Sequence, residues 1–127
     1  SNVVKLNLSD NLTTAESLFK KHHIRHIPVV KENHIVGILS YTDLLRISFV
    51  DAVFFFVEIV DSTVYNMFTV EQVMAKNLIK VSPETTIKEV AEILAKKEFH
   101  ALPVVLDEEL VGIVTTTDLI KYLIDQY

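Results

Sequence analysis

The 127-residue sequence predicts an α+β fold made of two β-α-β-β-α repeats packed on each other. Three observations carry that expectation. The stretch Ile35–Ser48, "IVGILSYTDLLRIS", returns almost unchanged at Leu110–Leu123 as "LVGIVTTTDLIKYL". The two glycines of the chain, Gly37 and Gly112, stand 75 residues apart (112 − 37), and the same offset carries Pro28 to Pro103 and Asp43 to Asp118. Half of the residues are hydrophobic, ample for a packed interior, yet one copy of about 60 residues is too small to bury both faces of its own sheet.

Each element follows in the same order in both copies. The first is a short extended piece, "VVKLNL" (3–8) or "LIKVSP" (78–83). A helix comes next. Ile87, Val90, Ala91 and Leu94 fall at i, i+3, i+4 and i+7, one apolar face, and Leu12, Ala15 and Phe19 occupy the equivalent face in the first copy. Asp10 and Thr85 stand where an N-cap oxygen is useful. Two β-branched runs follow, "IPVV" then "IVGIL" in the first copy and "LPVV" then "LVGIV" in the second, joined by the polar turns "KENH" and "LDEE". A second helix starts at "SYTDLLRI" or "TTTDLIKY". The repeat period divides the chain into residues 1–69, the first repeat with a helical linker, and residues 70–127, the second repeat. The stretch 70–74, "VEQVM", has no counterpart in the first copy, because the offset carries it ahead of residue 1; a trimmed N-terminus is the expectation. The linker carries Phe54, Phe55, Phe56 and Ile59. Adjacent helical residues point about 100° apart, so these four cannot all face one core, and a homodimer is expected.

Composition narrows the function. Without cysteine there are no disulfides, thiolate nucleophiles or Cys-based zinc sites. A net charge of −5 argues against a broad nucleic-acid surface. No apolar run reaches the roughly 20 residues that span a bilayer, and the first residues lack the pattern of a secretory signal. A cytoplasmic protein is expected, with no membrane or nucleic-acid partner. His22 and His23 close a helix, where cations are favoured, and His34 falls in a turn; none has metal-ligand spacing with a carboxylate. No catalytic constellation is visible, so an enzyme is not expected.

The repeated letters carry two readings. Ser40-x-x-Asp43 and Thr115-x-x-Asp118 fit a helix-capping pattern, with the hydroxyl on an orphan N–H and the carboxylate in the first turn. The glycine three residues before each hydroxyl suggests a bulge or the close approach of a ligand. A helix N-terminus suits phosphate and a carboxylate beside it suits ribose hydroxyls, so the same residues describe a nucleoside phosphate pocket.

The order h-P-V-V … h-V-G-h-h-[ST]-x-x-D-L, present twice and in register from about Val4 to Tyr127, resembles a tandem pair of CBS domains, the cystathionine β-synthase regulatory repeat. The resemblance implies a pseudo-twofold pair with two clefts for adenosine-containing ligands: AMP, ADP, ATP or S-adenosylmethionine. It implies one cleft pairing Ser40 and Asp43 with Ile79, Lys80, His100, Ala101 and Leu102. The other would pair Thr115 and Asp118 with Val4, Lys5, Arg25, His26 and Ile27. In that assignment the aspartates hold ribose, the early strands hold adenine, and Arg25, His26 and His100 face phosphate. No further cofactor is implied. A sensor of this kind acts on an effector protein or a second copy of itself. A ligand-free dimerisation scaffold and a regulatory fragment of a larger enzyme or transporter are the alternatives.

Overall fold

The computed structural model describes residues 3–46, 68–96 and 99–127. The linker expectation, including Phe54, Phe55, Phe56 and Ile59, lies outside them. The chain divides into two units, Val4–Asn77 and Leu78–Tyr127, with Ser1–Val3 belonging to the second. Residues 70–77 therefore pack with the first repeat, although the repeat period counts them with the second.

The first unit opens with β1 (Leu6–Asn7), α1 (Leu12–His22), β2 (His26–Lys31), β3 (His34–Ser40) and α2, described over residues 41–46. It ends with the short helix α3 (Val70–Val73). The sheet order is β1-β2-β3, β1 parallel and β3 antiparallel to β2. The second unit holds α4 (Ile87–Lys96), β4 (Ala101–Leu106), β5 (Glu109–Thr115) and α5 (Thr116–Asp125). Here the early strand is reduced to a single parallel bridge, Val81 with Val104.

Both hairpins turn on two residues with positive φ, Glu32 (53°) and Asn33 (66°) in the first, Asp107 (52°) and Glu108 (68°) in the second. That is the type I′ geometry whose twist matches the flanking strands. His34 therefore opens β3, paired with Lys31, and is not a turn residue. Each hairpin also has a register shift, between Val29 and Val30 and between Val104 and Val105, which leaves Val36 and Val111 as the extra residues. The bulge sits one residue before each glycine.

The helix caps fall one residue later than the sequence suggested. Asn11 caps α1, its side chain accepting from the Thr14 N–H at 2.8 Å. Thr86 caps α4: its Oγ1 accepts from the Glu89 N–H at 3.1 Å, while Glu89 Oε1 accepts from the Thr86 N–H at 3.1 Å. Asp10 and Thr85 instead close the preceding turn, accepting from the N–H of Asn7 (2.9 Å) and Ser82 (3.0 Å). The same division of labour appears in both repeats.

The core of the first unit gathers Leu6, Leu12, Ala15, Phe19, Ile27, Val29, Leu39 and Leu44, closed by Val70 and Met74. The second unit has Val81, Val90 and Leu102 at its centre, with Leu94, Val104, Val114 and Leu119 only partly buried around them.

Candidate functional site

The motif shared by the repeats lies where the second strand of each hairpin becomes a helix. In the first repeat β3 ends at Ser40, whose Oγ accepts from the Asp43 N–H at 3.0 Å. Hairpin pairing sets Ser40 opposite His26, and the Tyr41 N–H donates to the Arg25 carbonyl at 2.8 Å. In the second repeat Thr115 Oγ1 accepts from the Asp118 N–H at 3.1 Å. Ala101 lies opposite Thr115, and the Thr116 N–H donates to the His100 carbonyl at 3.0 Å. The structure thus brings Arg25, His26 and Ser40 together in one unit, and His100, Ala101 and Thr115 together in the other.

The two carboxylates are held differently. Asp118 Oδ2 accepts from the Thr115 N–H at 2.8 Å, which completes a reciprocal capping box. Asp43 lacks that bond among those described and instead accepts from Arg46 Nη1 at 2.6 Å. Arg46 lies on the next turn of α2, three residues on, where such a pair meets. The guanidinium is largely exposed, so this pair is easily exchanged for another partner of the carboxylate.

The remaining predicted residues fall into two kinds. Ile27, Ala101 and Leu102 are buried in the cores of their units. Val4, Lys5, Ile79 and Lys80 lie just ahead of the early strand segments at Leu6 and Val81. Lys5 Nζ donates to Asn33 Oδ1 at 2.8 Å, so its ammonium is engaged at the hairpin turn. In the first repeat β2 runs between β1 and β3, so the early strand and the Ser40 cap belong to opposite edges of the same sheet.

Tyr41 and Thr116, equivalent positions with different residues, do different work. The Tyr41 ring packs against Phe19, with centroids 5.3 Å apart, whereas Thr116 Oγ1 reaches the His100 carbonyl at 3.5 Å. Sequence reasoning missed Arg46 beside Asp43; its signal was a cation three residues along one helix face. Among the described residues no three His, Asp or Glu side chains cluster as metal ligands, and no helix is long and apolar enough to cross a membrane.

The model of the CBS domain matches residues 1–49 and again residues 70–125. An uncharacterized protein of Methanocaldococcus jannaschii, MJ1225, is 32% identical over 104 residues, covering 80% of this chain and 37% of its own. Inosine-5'-monophosphate dehydrogenase of Korarchaeum cryptofilum is 30% identical over 117 residues, covering 91% of this chain and 21% of its own. The chain thus spans well under half the length of these relatives. Among solved structures, MJ1225, described as an archaeal homolog of γ-AMPK, aligns with a TM-score of 0.80 at 26% identity over 96% of this chain and 44% of that one. The acetoin utilization protein AcuB ascribed to Vibrio cholerae aligns with a TM-score of 0.78 at 28% identity, over 98% of this chain and 85% of that one. The CBS pair of MJ0100, solved with 5'-methylthioadenosine and S-adenosyl-L-methionine, shares the fold with a TM-score of 0.79 at 23% identity, over 100% of this chain and 92% of that one. With the family model matched over both repeats and the same capped strand-to-helix junction in each, the chain belongs to the CBS-domain family.

Proposed function

We propose that this CBS pair is a regulatory module that binds an adenosine-containing small molecule, AMP, ADP, ATP or S-adenosylmethionine, and passes the binding event to a partner chain. The observation that carries the reading is the twofold presence of a hydroxyl cap with a carboxylate three residues on, Ser40 with Asp43 and Thr115 with Asp118. Both carboxylates are partly or fully exposed. Each can take two ribose hydroxyls in place of its present donor, as acidic residues do in other nucleotide folds. In this proposal Asp43 works with Ile79, Lys80, His100, Ala101 and Leu102, and Asp118 works with Val4, Lys5, Arg25, His26 and Ile27. The MJ0100 pair, which shares the fold, holds two adenosine compounds.

The affinity follows from ligand size. AMP has roughly 23 non-hydrogen atoms; at about 0.3 kcal/mol each this gives about −7 kcal/mol, a Kd on the order of 10 μM. Ligand at 100 times Kd adds about 2.7 kcal/mol of stability and raises the melting temperature by several degrees. A thermal-shift screen with AMP, ADP, ATP, NAD and S-adenosylmethionine tests the reading. A shift with an adenosine compound supports it; no shift with any of the five at millimolar concentration rejects it in favour of a scaffold.

A scaffold reading has its own observation. Ile120, Leu123 and Ile124 of α5 are exposed and, at i, i+3 and i+4, form one apolar stripe. A second copy covering this stripe gives a twofold dimer. Sedimentation at tens of micromolar checks it, and a monomer there removes the dimer from the proposal.

A further inference from the structure

The stretch Lys20–His26, KKHHIRH, holds three fixed positive charges and three of the five histidines in a chain whose net charge is −5. Lys20, Lys21, His22, His23 and Arg25 are all exposed. Cations at a helix C-terminus offset its dipole, and that accounts for one or two of them. It does not account for the run. At the 75-residue offset, residues 95–101 read AKKEFHA, with two lysines, one glutamate and one histidine after a helix of the same kind. Lys20 has Glu16 at 3.9 Å, so the charge in excess rests on Lys21, His22, His23 and Arg25.

The backbone fixes where these side chains stand. His23 follows α1 in the left-handed region, with φ 54° and ψ 42°. Glycine takes that conformation at no steric cost and is the common residue just past a helix end. An imidazole here is held against the local preference, and such positions cluster at ligand sites. Ile24, the next residue, packs against the core of the unit, and the Arg25 carbonyl accepts from the Tyr41 N–H at 2.8 Å. His23 and Arg25 thus flank an anchored residue, with Cα atoms no more than about 7 Å apart. Lys21 and His22 belong to the adjoining last turn of α1. Groups this close act together in about 0.1 M salt, where the Debye length is about 10 Å.

We propose that the cationic turn formed by Lys21, His22, His23 and Arg25 recognises a chain of phosphates, so that the site to which Arg25 belongs prefers ATP and ADP to AMP, while the site of His100 gains nothing from added phosphates. One phosphate is met by the fork of a single arginine. Each further phosphate adds charge, and the ammonium of Lys21 and the imidazole N–H groups of His22 and His23 are donors for it. The second repeat has Glu98 at the position equivalent to His23, a charge of the same sign as phosphate. The preference for ATP rests on the reading that the chain binds adenosine compounds; the phosphate role of the turn rests on these residues alone.

The test is calorimetric titration of adenosine, AMP, metal-free ATP and inorganic tripolyphosphate into the full chain and into the double variant Lys21→Gln/His23→Gly, at about 0.1 M salt. In wild type, one site is expected to bind ATP at least about tenfold more tightly than AMP, the gain from one added charge-assisted hydrogen bond, and the other site to bind the two within about threefold. The double variant is expected to lose that gain and to hold adenosine within about twofold of wild type. Glycine is unstrained at position 23, so its melting temperature is expected to stay level or rise, which separates lost binding from lost folding. Equal affinity for AMP and ATP at both wild-type sites overturns the proposal. So does a double variant that keeps the ATP gain, or that weakens adenosine as much as ATP. Tripolyphosphate is expected to bind wild type at least about fivefold more tightly than the double variant. If that difference holds while no adenosine compound binds, the adenosine reading fails and the phosphate role of the turn is upheld; no difference overturns that role.

Discussion

The two repeats share eight core positions, and they fill them unequally. Leu6, Leu12, Ala15, Phe19, Ile27, Val29, Leu39 and Leu44 are all at most 3% exposed in the first repeat. Of their counterparts only Leu102 matches that; Val81 and Val90 come near, Leu94, Val104, Val114 and Leu119 are half-buried, and Ile87 is 46% exposed. The local rules are the same in both. The type I′ turns, the bulges before glycine and the helix caps recur at the 75-residue offset. What differs is the closing piece, Val70 and Met74, present in one core cluster and, among the described residues, without an equivalent in the other. Local chemistry shapes a repeat, and a segment distant in sequence decides how well it is closed.

The sharpest way to break this comparison is at the glycines. Gly37→Val forces a side chain into Met74 and the Ala75 carbonyl and should cost about 3 kcal/mol, at the upper end for overpacking. Gly112→Val should stay within about 1 kcal/mol of the parent, because valine suits a strand and its Cβ would meet Val104 at an ordinary 3.7 Å. Urea unfolding of both variants checks the pair, and equal losses would show that the two edges are alike. Truncation of the paired helix starts is the next largest effect. Leu12→Ala removes a fully buried side chain and should cost about 2–4 kcal/mol, whereas Ile87→Ala at the exposed equivalent should cost below about 1 kcal/mol.

The caps give smaller effects. Thr115→Ala removes the hydroxyl of a complete capping box and should cost about 1 kcal/mol. The smallest effect is at Glu89. Two donors on Thr86, the backbone N–H first and then the side-chain hydroxyl, hold the Glu89 carboxyl below its ordinary value. A depressed folded-state pKa contributes stability above the unfolded pKa of about 4.3 and loses it as pH falls through the folded value. Wild type and Glu89→Gln should therefore differ slightly at neutral pH and converge as pH falls through the folded value in thermal melts. A gap that widened on acidification would reverse the sign and rule out this origin.

How much was legible follows from the range of each interaction. Hairpins, helices and the Ser40 and Thr115 caps are set by neighbours a few residues away, so period and turn chemistry revealed them. The caps of α1 and α4 were misread by one residue because adjacent candidates compete, Asp10 with Asn11 and Thr85 with Thr86. Thr86-x-x-Glu89 was the available signal, since it alone completes a reciprocal box at that position. The pairing of Ala75 with Ile38 joins residues far apart in sequence, and periodicity names a strand without naming its partner. Gly37 pointed to a bulge, which lies one residue ahead of it, or to a ligand, and for that reason did not name the chain segment that lies against it. The candidate binding residues were placed by resemblance, and it was the geometry that separated Ile27, Ala101 and Leu102, which are buried, from the more exposed ones.

The central claim is that the carboxylate after each helix cap holds ribose. Calorimetric titration of AMP into wild type, Asp43→Asn and Asp118→Asn tests it most directly. Asparagine keeps the shape and an acceptor oxygen but removes the charge. Charge-assisted hydrogen bonds are worth about 1.5–3 kcal/mol, so each variant should weaken its own site by roughly 10- to 150-fold. AMP binding with wild-type affinity and stoichiometry in both variants would contradict the account.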